Sequence, residues 1–488
     1  MINIGNRREL FVDDYLVDTE KTTAPKVYCK PVKRERAFIH NRAWEDRINV
    51  YHNVLRMPDG TYRMFYKAVH YGPKPDGTWC GLNHICVIES KDGIHWTSPD
   101  MELTNCKGSK ENNIISNEFD YYDNMFVFED KNPDCPENER YKAVYGEWGT
   151  GLYSYTSEDG LNFNWHPKPR EEFKDKPWLE AKIMDSKEMG CYFDSLNTIY
   201  YDENKGKYIA FVRGFHVGDD MFPPDPDVPD AIRDIRISES EDYIHWSHPK
   251  MIRFDDSYDY QLYANAITPY YRAPHIYVGT PTRYVAREEW NDSFDKLPVP
   301  EERRSRGRGQ SITDAIFMSS RDAENWTRSN EAIFTPGPEH MRNWVYGDCY
   351  PCVGFVETPG EIEGSDPYLS LYCKEDVEGC QTVLYRYSLR MDGFACRRAT
   401  LKPQYLVTKP FVFEGSELEI NFETSALGYM KFTLEAQDGS AIHSSQVFGD
   451  KIDRIVGFDD GCVADFAGKT VTLKVEMSDA SLYAIKFN

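Results

Sequence analysis

The chain has 488 residues, 40% of them hydrophobic and 14% aromatic, with 33 tyrosines and a formal net charge of −23. That length exceeds what one compact core organises, so two domains are expected. The acidic balance, without a basic cluster able to follow a phosphate backbone, argues against nucleic acid as a partner, and no apolar run reaches membrane-spanning length.

The start, Met1-Ile2-Asn3-Ile4-Gly5-Asn6-Arg7-Arg8, lacks an apolar signal core. Among 12 cysteines there is one C-x-x-C, Cys349 to Cys352, with no second pair to complete a zinc site. Cys86 and Cys373 fall in apparent strands as small core hydrophobes. These features point to reduced thiols and the cytoplasm, an inference that fails if an export signal has been removed.

Residues 9–17 read as a strand with no repeat partner, and its natural place is as an outer strand closing a ring of sheets. The following chain is built on Ser-x-Asp-Gly-x-x-Trp, cleanest at Ser90 to Trp96. Drifted copies run from Ser157 to Phe163, Ser240 to Trp246, Ser320 to Trp326 and Ser388 to Phe394, at intervals of roughly 70–80 residues. Asp-Gly between apolar runs is a hairpin signal, because glycine accepts a positive φ without steric cost. Each copy follows three apolar strands, so each unit is a four-stranded meander, A to D. Five such units predict an all-β, five-bladed β-propeller over residues 1–400. From about Leu401 the hairpin motif disappears and polar and apolar residues alternate, as in Glu417–Phe422 and Val471–Val475. That texture predicts a C-terminal antiparallel β-sandwich over 401–488.

In a propeller, strand A lines the axis, and the starts of A, the ends of B and the starts of C share one face. The longest connections, 71–84, 164–193, 216–233 and 283–313, fall on that face and wall in a site. The A-strand starts supply His52, Asn53, Asp123, Asp194, Tyr263 and Asp348, with Glu45 just before the first of them. B-strand ends supply Glu147, Arg213 and Arg283, and C-strand starts supply Arg233 and Asp314. Several carboxylates with arginines between them suit glycosidic bond cleavage, in which one carboxyl protonates the leaving oxygen and another serves as base or nucleophile. The candidate catalytic residues are Asp194, Asp123, Glu45, Glu147 and Asp348. The candidate substrate-binding residues are His52, Asn53, Arg213, Arg233, Tyr263, Arg283 and Asp314.

With these residues in place, the chain resembles the five-bladed propeller glycoside hydrolases, a superfamily that includes families 32, 43, 68, 117 and 130. The likeness covers the five repeats and the appended sandwich. It implies three acids from the inner strands of the first three blades: a nucleophile or base, a positioning Asp and a general acid. Asp123 and Asp194 occupy the second- and third-blade places. The first-blade place holds His52-Asn53, which leaves Glu45 or Asp46 as the nearby substitute. The Trp-Met-Asn-Asp-Pro, Arg-Asp-Pro and Glu-Cys motifs are not present. The chain also resembles propellers that open with Phe-Val-Asp-Asp-Tyr-Leu, here Phe11 to Leu16, a likeness that brings no activity with it.

Each signal has a plainer reading. The Asp-Gly hairpins are structural turns. Asp194 or Asp123 can cap a strand or close an Asx-turn. Glu147 can pair with a rim lysine, Arg233 and Arg283 can pair between blades, Asp314 can orient either arginine, and His52 can be a packed axis residue. The run Glu301 to Gly309 reads most simply as a solvated loop. The resulting expectation is a glycoside hydrolase acting on a terminal sugar of an oligosaccharide or polysaccharide. Its rivals are a phosphate-dependent phosphorylase, with Arg213, Arg233 and Arg283 holding phosphate, and a non-catalytic glycan-binding propeller. No motif calls for a cofactor or a metal; an axial calcium ion and the oligomeric state are left open by the sequence.

Overall fold

Ser90, Asp92 and Trp96 show why the repeated motif turns the chain. Ser90 Oγ accepts from the Gly93 amide at 2.8 Å, and Asp92 Oδ1 accepts from the Ile94 and His95 amides, each at 2.8 Å. The Trp96 ring nitrogen closes the turn onto the Gly93 carbonyl at 3.2 Å. Asp159, Asp242 and Asp322 make the same pair of amide contacts. In the third and fourth copies the glycine place is taken by Tyr243 and Ala323, with φ of 71° and 68°, so the side-chain hydrogen bonds sustain a left-handed residue without glycine.

The computed structural model describes residues 1–46, 48–73, 79–116, 124–173, 176–224, 230–287, 289–305, 310–341, 343–375 and 382–488. It is a five-bladed β-propeller joined to a second β-sheet unit. Blade 1 pairs Ile48–Arg56, Tyr62–Pro73 and Trp79–Ser90, with Thr97 bridging Glu89 in place of a fourth strand. Blade 2 holds Phe126–Glu129, Tyr141–Glu147, Gly151–Ser157 and Asn164–His166. Blade 3 holds Thr198–Asp202, Lys207–His216, Ile232–Ser240 and Lys250–Met251. Blade 4 holds Ile267–Tyr270, Ala273–Gly279, Met318–Ser320 and Asn325–Arg328. Blade 5 holds Tyr350–Pro351 and Val356–Thr358, then Tyr368–Glu375 and Thr382–Arg390.

The outer strand of blade 5 is Val32–His40, antiparallel to Thr382–Arg390 with Thr382 opposite His40. The ring is therefore closed by the N-terminal part of the chain, but not by the segment 9–17 expected for that role. Glu9–Leu10 instead pairs with Ala484 and Ile485 of the last strand, and Phe11 to Leu16 turn away. The physical reason is that an outermost strand shows one side to water. Val32–His40 carries Lys33, Arg34, Glu35 and Arg36, which hide its strand pattern.

A left-handed residue stands at or near the start of strand A in each blade: Tyr51, Asn124, Ser195, Ala266 and Cys349, with φ of 60°, 60°, 68°, 43° and 53°. In blade 1 the register slips between Val50 and Asn53, the signature of a bulge that re-aims side chains at the axis. Buried asparagines stitch neighbouring blades. Asn53 exchanges bonds with Val127 at 2.8 and 3.3 Å, and Asn265 Nδ2 donates to the Leu196 and Phe211 carbonyls at 3.1 and 2.9 Å.

The second unit is a 10-stranded sheet. Leu418–Ala436 and Val471–Phe487 pair along their lengths and break register between Thr424 and Tyr429. The two halves enclose a core that includes Ile420, Phe422, Phe432, Leu473, Val475 and Ile485. Ile2–Gly5 and Lys26–Tyr28 join the same sheet beside Phe411–Phe413 and Ala395–Ala399. It thus takes strands from both of the expected segments, 1–400 and 401–488.

The fifth motif copy serves this junction. Asp392 is buried and receives Arg272 at 2.8 and 3.2 Å, the Tyr270 hydroxyl at 2.7 Å and Asn421 Nδ2 at 3.2 Å, with Arg8 Nη1 3.4 Å away. Among the described residues no helix is long and apolar enough to cross a membrane.

Candidate active site

Asp194 lies between two residues in the left-handed region, Phe193 at φ 55° and Ser195 at φ 68°. This double twist sets it at the start of blade 3, with 26% of its side chain exposed. The close approach depends on Gly146 in the neighbouring blade. A Cβ there would stand 2.0 Å from the Phe193 carbonyl oxygen and 2.6 Å from Asn197 Nδ2. Asn197 completes the corner by accepting from the Arg213 amide at 2.9 Å and donating to the Phe193 carbonyl at 2.9 Å.

Arg213 is buried, with Nη1 3.7 Å from Asp194 Oδ2 and its guanidinium 4.4 Å from the Tyr263 ring centroid. Its Nη2 also donates to the Tyr263 carbonyl. Arg233 lies over the Tyr284 ring at 4.7 Å and near the Tyr263 ring at 5.5 Å, and its Nη1 donates to Gln261 Oε1 at 2.5 Å. The Tyr346 hydroxyl donates to that of Tyr263 at 2.8 Å. Edge-to-face contacts join Tyr263, Tyr346, Tyr284, Tyr350 and Tyr51, with centroids 5.7 to 6.4 Å apart. The structure thus brings together Asp194, Arg213, Arg233 and Tyr263 inside a tyrosine wall. Such a surface offers flat apolar faces and fixed donors.

The other expected site residues occupy different surroundings. Glu147 ends strand B of blade 2, next to Gly146, and accepts from the Tyr153 hydroxyl at 3.3 Å. Glu45 is buried and accepts from the Arg42 amide at 2.8 Å and from the Tyr66 hydroxyl, with His40 Nδ1 at 3.2 Å. Burial pushes its carboxyl up, but His40, Tyr66 and the Arg42 amide together hold it below the usual range. His52 is buried with its Nε2 3.0 Å from His40 Nε2, and burial pushes its imidazole well down. Asn53 is spent on Val127, as described. Arg283 and Asp314 form a two-pronged pair at 2.7 and 2.6 Å across the ribbon of Thr282–Ala286 and Ser311–Ala315. Asp348 is buried at the start of blade 5. Asp123 lies outside the described residues.

Within the run 301–309, the described part is not a solvated loop. Pro300–Ser305 is a helix in which Arg303 is buried and donates to the carbonyls of Pro298, Asn343 and Trp344 at 2.8, 2.8 and 2.9 Å. It docks the long blade 4 connection beside Tyr346.

Two polar clusters join residues that the sequence does not group together; His70 and His84 could be read only as a B-strand end and a C-strand start. His216 is held by Asp234 Oδ2 at 2.9 Å, while its Nε2 faces Asp259 at 3.1 Å. Asp234 in turn receives Arg236 at 2.8 and 3.1 Å. Gly214 leaves room for that ion pair, since a Cβ there would lie 2.1 Å from Arg236 Nε. The second cluster, His70, His84 and Cys106, carries nitrogen and sulfur donors, which suit neither calcium nor magnesium.

No protein-family model matches the chain, and no curated protein matches it. Among solved structures it is similar to an N-acetylgalactosamine deacetylase from F. plautii in complex with blood group B trisaccharide, at 13% identity over 75% of this chain and 96% of that one, with a TM-score of 0.42. It is similar to a β-1,2-mannobiose phosphorylase from Listeria innocua at 12% identity, covering 74% and 97% of the two chains, with a TM-score of 0.42. A third, the Bombyx mori family 32 β-fructofuranosidase, shows 9% identity over 95% and 94%, with a TM-score of 0.35.

Proposed function

We propose that the protein is a glycoside hydrolase that removes a terminal sugar from an oligosaccharide or polysaccharide, with Asp194 as one of its two working carboxyls. The observation that carries this reading is the setting of Asp194. It is partly exposed just ahead of strand A of blade 3, 3.7 Å from a buried arginine, and beside a wall of tyrosines. Apolar faces of a pyranose ring pack on tyrosine; the partly exposed Arg233 can donate to its hydroxyls, while the buried Arg213 acts by holding Asp194. One carboxyl donates a proton to the glycosidic oxygen as the bond to the anomeric carbon breaks. The other either activates water or attacks the anomeric carbon itself. Glu147, on the strand that Gly146 brings against the Asp194 corner, is the proposed partner; Asp123, Glu45 and Asp348 are its alternates. A separation of about 5–5.5 Å between the working carboxyls gives retention, and about 6.5–9.5 Å gives inversion.

One observation favours a second reading. Arg213 and Arg233 both face the Tyr263 ring, at 4.4 and 5.5 Å. Two guanidinium groups at one mouth suit inorganic phosphate as the attacking group in place of water.

The test is turnover of aryl glycosides and plant or algal oligosaccharides, with and without phosphate, by wild type and Asp194→Asn. Phosphate-independent turnover that collapses in the variant supports hydrolysis at this site, and turnover only with phosphate selects the second reading. Turnover that survives the substitution moves the acid elsewhere. Glycan binding by both proteins without any turnover makes the propeller a binding module.

A further inference from the structure

The rim of blade 1 carries polar groups that the proposed reaction does not use. In the hairpin of Tyr62–Pro73 and Trp79–Ser90, Ala68 lies opposite His84 and His70 opposite Leu82, so His70 and His84 are diagonal neighbours on one face of the sheet. Cys106 reaches them from the segment after blade 1. There it closes a tight turn with Ser109 through backbone bonds of 2.9 and 3.1 Å. His70 Nδ1 and His84 Nε2 are 2.9 Å apart, and the ligand atoms of all three residues lie within 4.8 Å of one another. The three are 4%, 9% and 6% exposed. Among the described residues no other group of three or more His, Cys, Asp or Glu has its ligand atoms so close.

We propose that His70, His84 and Cys106 bind a zinc-like transition-metal ion, with a fourth position left for water or another ligand. Two imidazoles and one thiolate are borderline-to-soft donors, the set chosen by zinc or copper(I) and passed over by calcium and magnesium. Zn–N bonds of about 2.0–2.1 Å place two imidazole nitrogens of one tetrahedral ion about 3.3 Å apart. The observed 2.9 Å therefore has to open by a few tenths of an ångström, and both rings have to turn by about 35° so that the facing nitrogens, now aimed at each other, converge on one ion. The two rings are nearly parallel, at 7°, with centroids 4.8 Å apart; with both rings neutral, the 2.9 Å contact is a hydrogen bond in which one facing nitrogen carries the proton. On binding, that proton moves to the other nitrogen of the same ring and the Cys106 thiol loses its own. Two lone pairs and one thiolate then face the ion, and one proton is released to solvent per ion bound. The charge of the neighbouring Lys107 reaches all three side chains and is partly offset by Asp46. The Lys107 Nζ donates to the Ala43 carbonyl at 2.5 Å and lies 3.8 Å from Asp46 Oδ2. The placement on strands B and C of blade 1 also ties the segment around Cys106 to that blade.

The experiment uses the full-length protein stripped with chelator and titrated with Zn2+ by calorimetry in two buffers, and with Co2+ by absorption. The expected result is one equivalent bound, about one proton released, a thiolate-to-cobalt charge-transfer band, and a Tm that rises with Zn2+. Cys106→Ser should abolish the band, His84→Gln should shift or weaken it, and each should weaken Zn2+ binding at least about tenfold. Absence of stoichiometric binding in the wild type, or an equal band and affinity in Cys106→Ser, overturns the proposal. If either variant fails to fold by circular dichroism, X-ray absorption on the zinc-loaded wild type decides. One sulfur at about 2.3 Å with two or three light ligands near 2.0 Å supports the site, and a shell of several sulfurs or of oxygens alone overturns it.

Discussion

The Arg213 guanidinium is shared between two partners: it stands 3.7 Å from the Asp194 carboxylate and 4.4 Å from the centroid of Tyr263. The same side chain also donates to the Tyr263 carbonyl, so it couples the start of blade 3 to the start of blade 4. A planar guanidinium can stack on a ring and donate sideways at once, which the point charge of lysine cannot do. Arg213→Lys should therefore keep a folded propeller and lower kcat/KM by about 10²-fold, the cost of misplacing by about 1 Å the carboxyl proposed to act in catalysis. Steady-state kinetics on any substrate that the wild type turns over checks this. Unchanged kinetics would remove Arg213 from the site.

Gly146 sets the seam between blades 2 and 3. Alanine there would put its Cβ 2.0 Å from the Phe193 carbonyl and push on the corner that presents Asp194. Backbone cannot yield as a flexible side chain does, so Gly146→Ala should cost about 2–3 kcal/mol by urea unfolding. It should lower activity more than the stability loss explains. Gly149→Ala is the control: unlike Gly146 it has a positive φ, of 65°, which adds backbone strain, but nothing lies within 4 Å of the added Cβ. A Gly146→Ala protein as active as the control would mean that the seam does not position Asp194.

The propeller was legible because its information is local. Each Ser-x-Asp-Gly-x-x-Trp copy makes its own turn, and strand runs such as Tyr141–Glu147 are apolar enough to read without their neighbours. What could not be read is what depends on partners far along the chain. Val32–His40 is a strand only because Thr382–Arg390 receives it, and its charges mimic a loop. Asp392 looks like one more hairpin aspartate until Arg272 and Arg8 converge on it. Asp194, Arg213, Arg233 and Tyr263, singled out at strand ends, are neighbours in the structure. The tyrosine wall could not be read, because Tyr284 and Tyr346 come from long connections that carry no periodicity. Glu45 and Asn53 stand near the expected positions, yet their polar atoms are engaged by His40, Tyr66 and Val127.

Asp392 is the ionic centre of the junction between the two units. It gathers Arg272 and Tyr270 from blade 4, Asn421 from the second sheet and Arg8 from the N-terminal segment. Removing the buried carboxylate strips the partly buried Arg272 of its counter-charge while Arg8 keeps Glu419, which places the cost at the low end for a broken buried pair, about 3 kcal/mol. Asp392→Ala should lower stability by that amount. It should also split the thermal transition in two as the second unit loses its tie to the propeller. Differential scanning calorimetry reads both effects. A single transition at the wild-type temperature would show that apolar contacts alone hold the units together.

Glu9 should make the same junction sensitive to acid. Its carboxylate is 1% exposed and lies 2.8 Å from Arg321 Nη1, 2.6 Å from Arg7 Nε and 3.3 Å from His275 Nε2. Burial pushes the carboxyl up, but His275, Arg321 and Arg7 outweigh it and bring the pKa from an ordinary 4.5 down to about 2. A carboxyl held lower in the folded state stabilises fully above its unfolded pKa, and that stability is lost as pH falls through the folded one. The interval corresponds to about 3 kcal/mol, of which about 2 kcal/mol is gone by pH 3. Urea unfolding at pH 6 and pH 3 should therefore show the gap between wild type and Glu9→Gln narrowing by about 2 kcal/mol. A gap that stays constant across that range would mean that Glu9 is not an acid-sensitive tie between the N-terminal strand and blade 4.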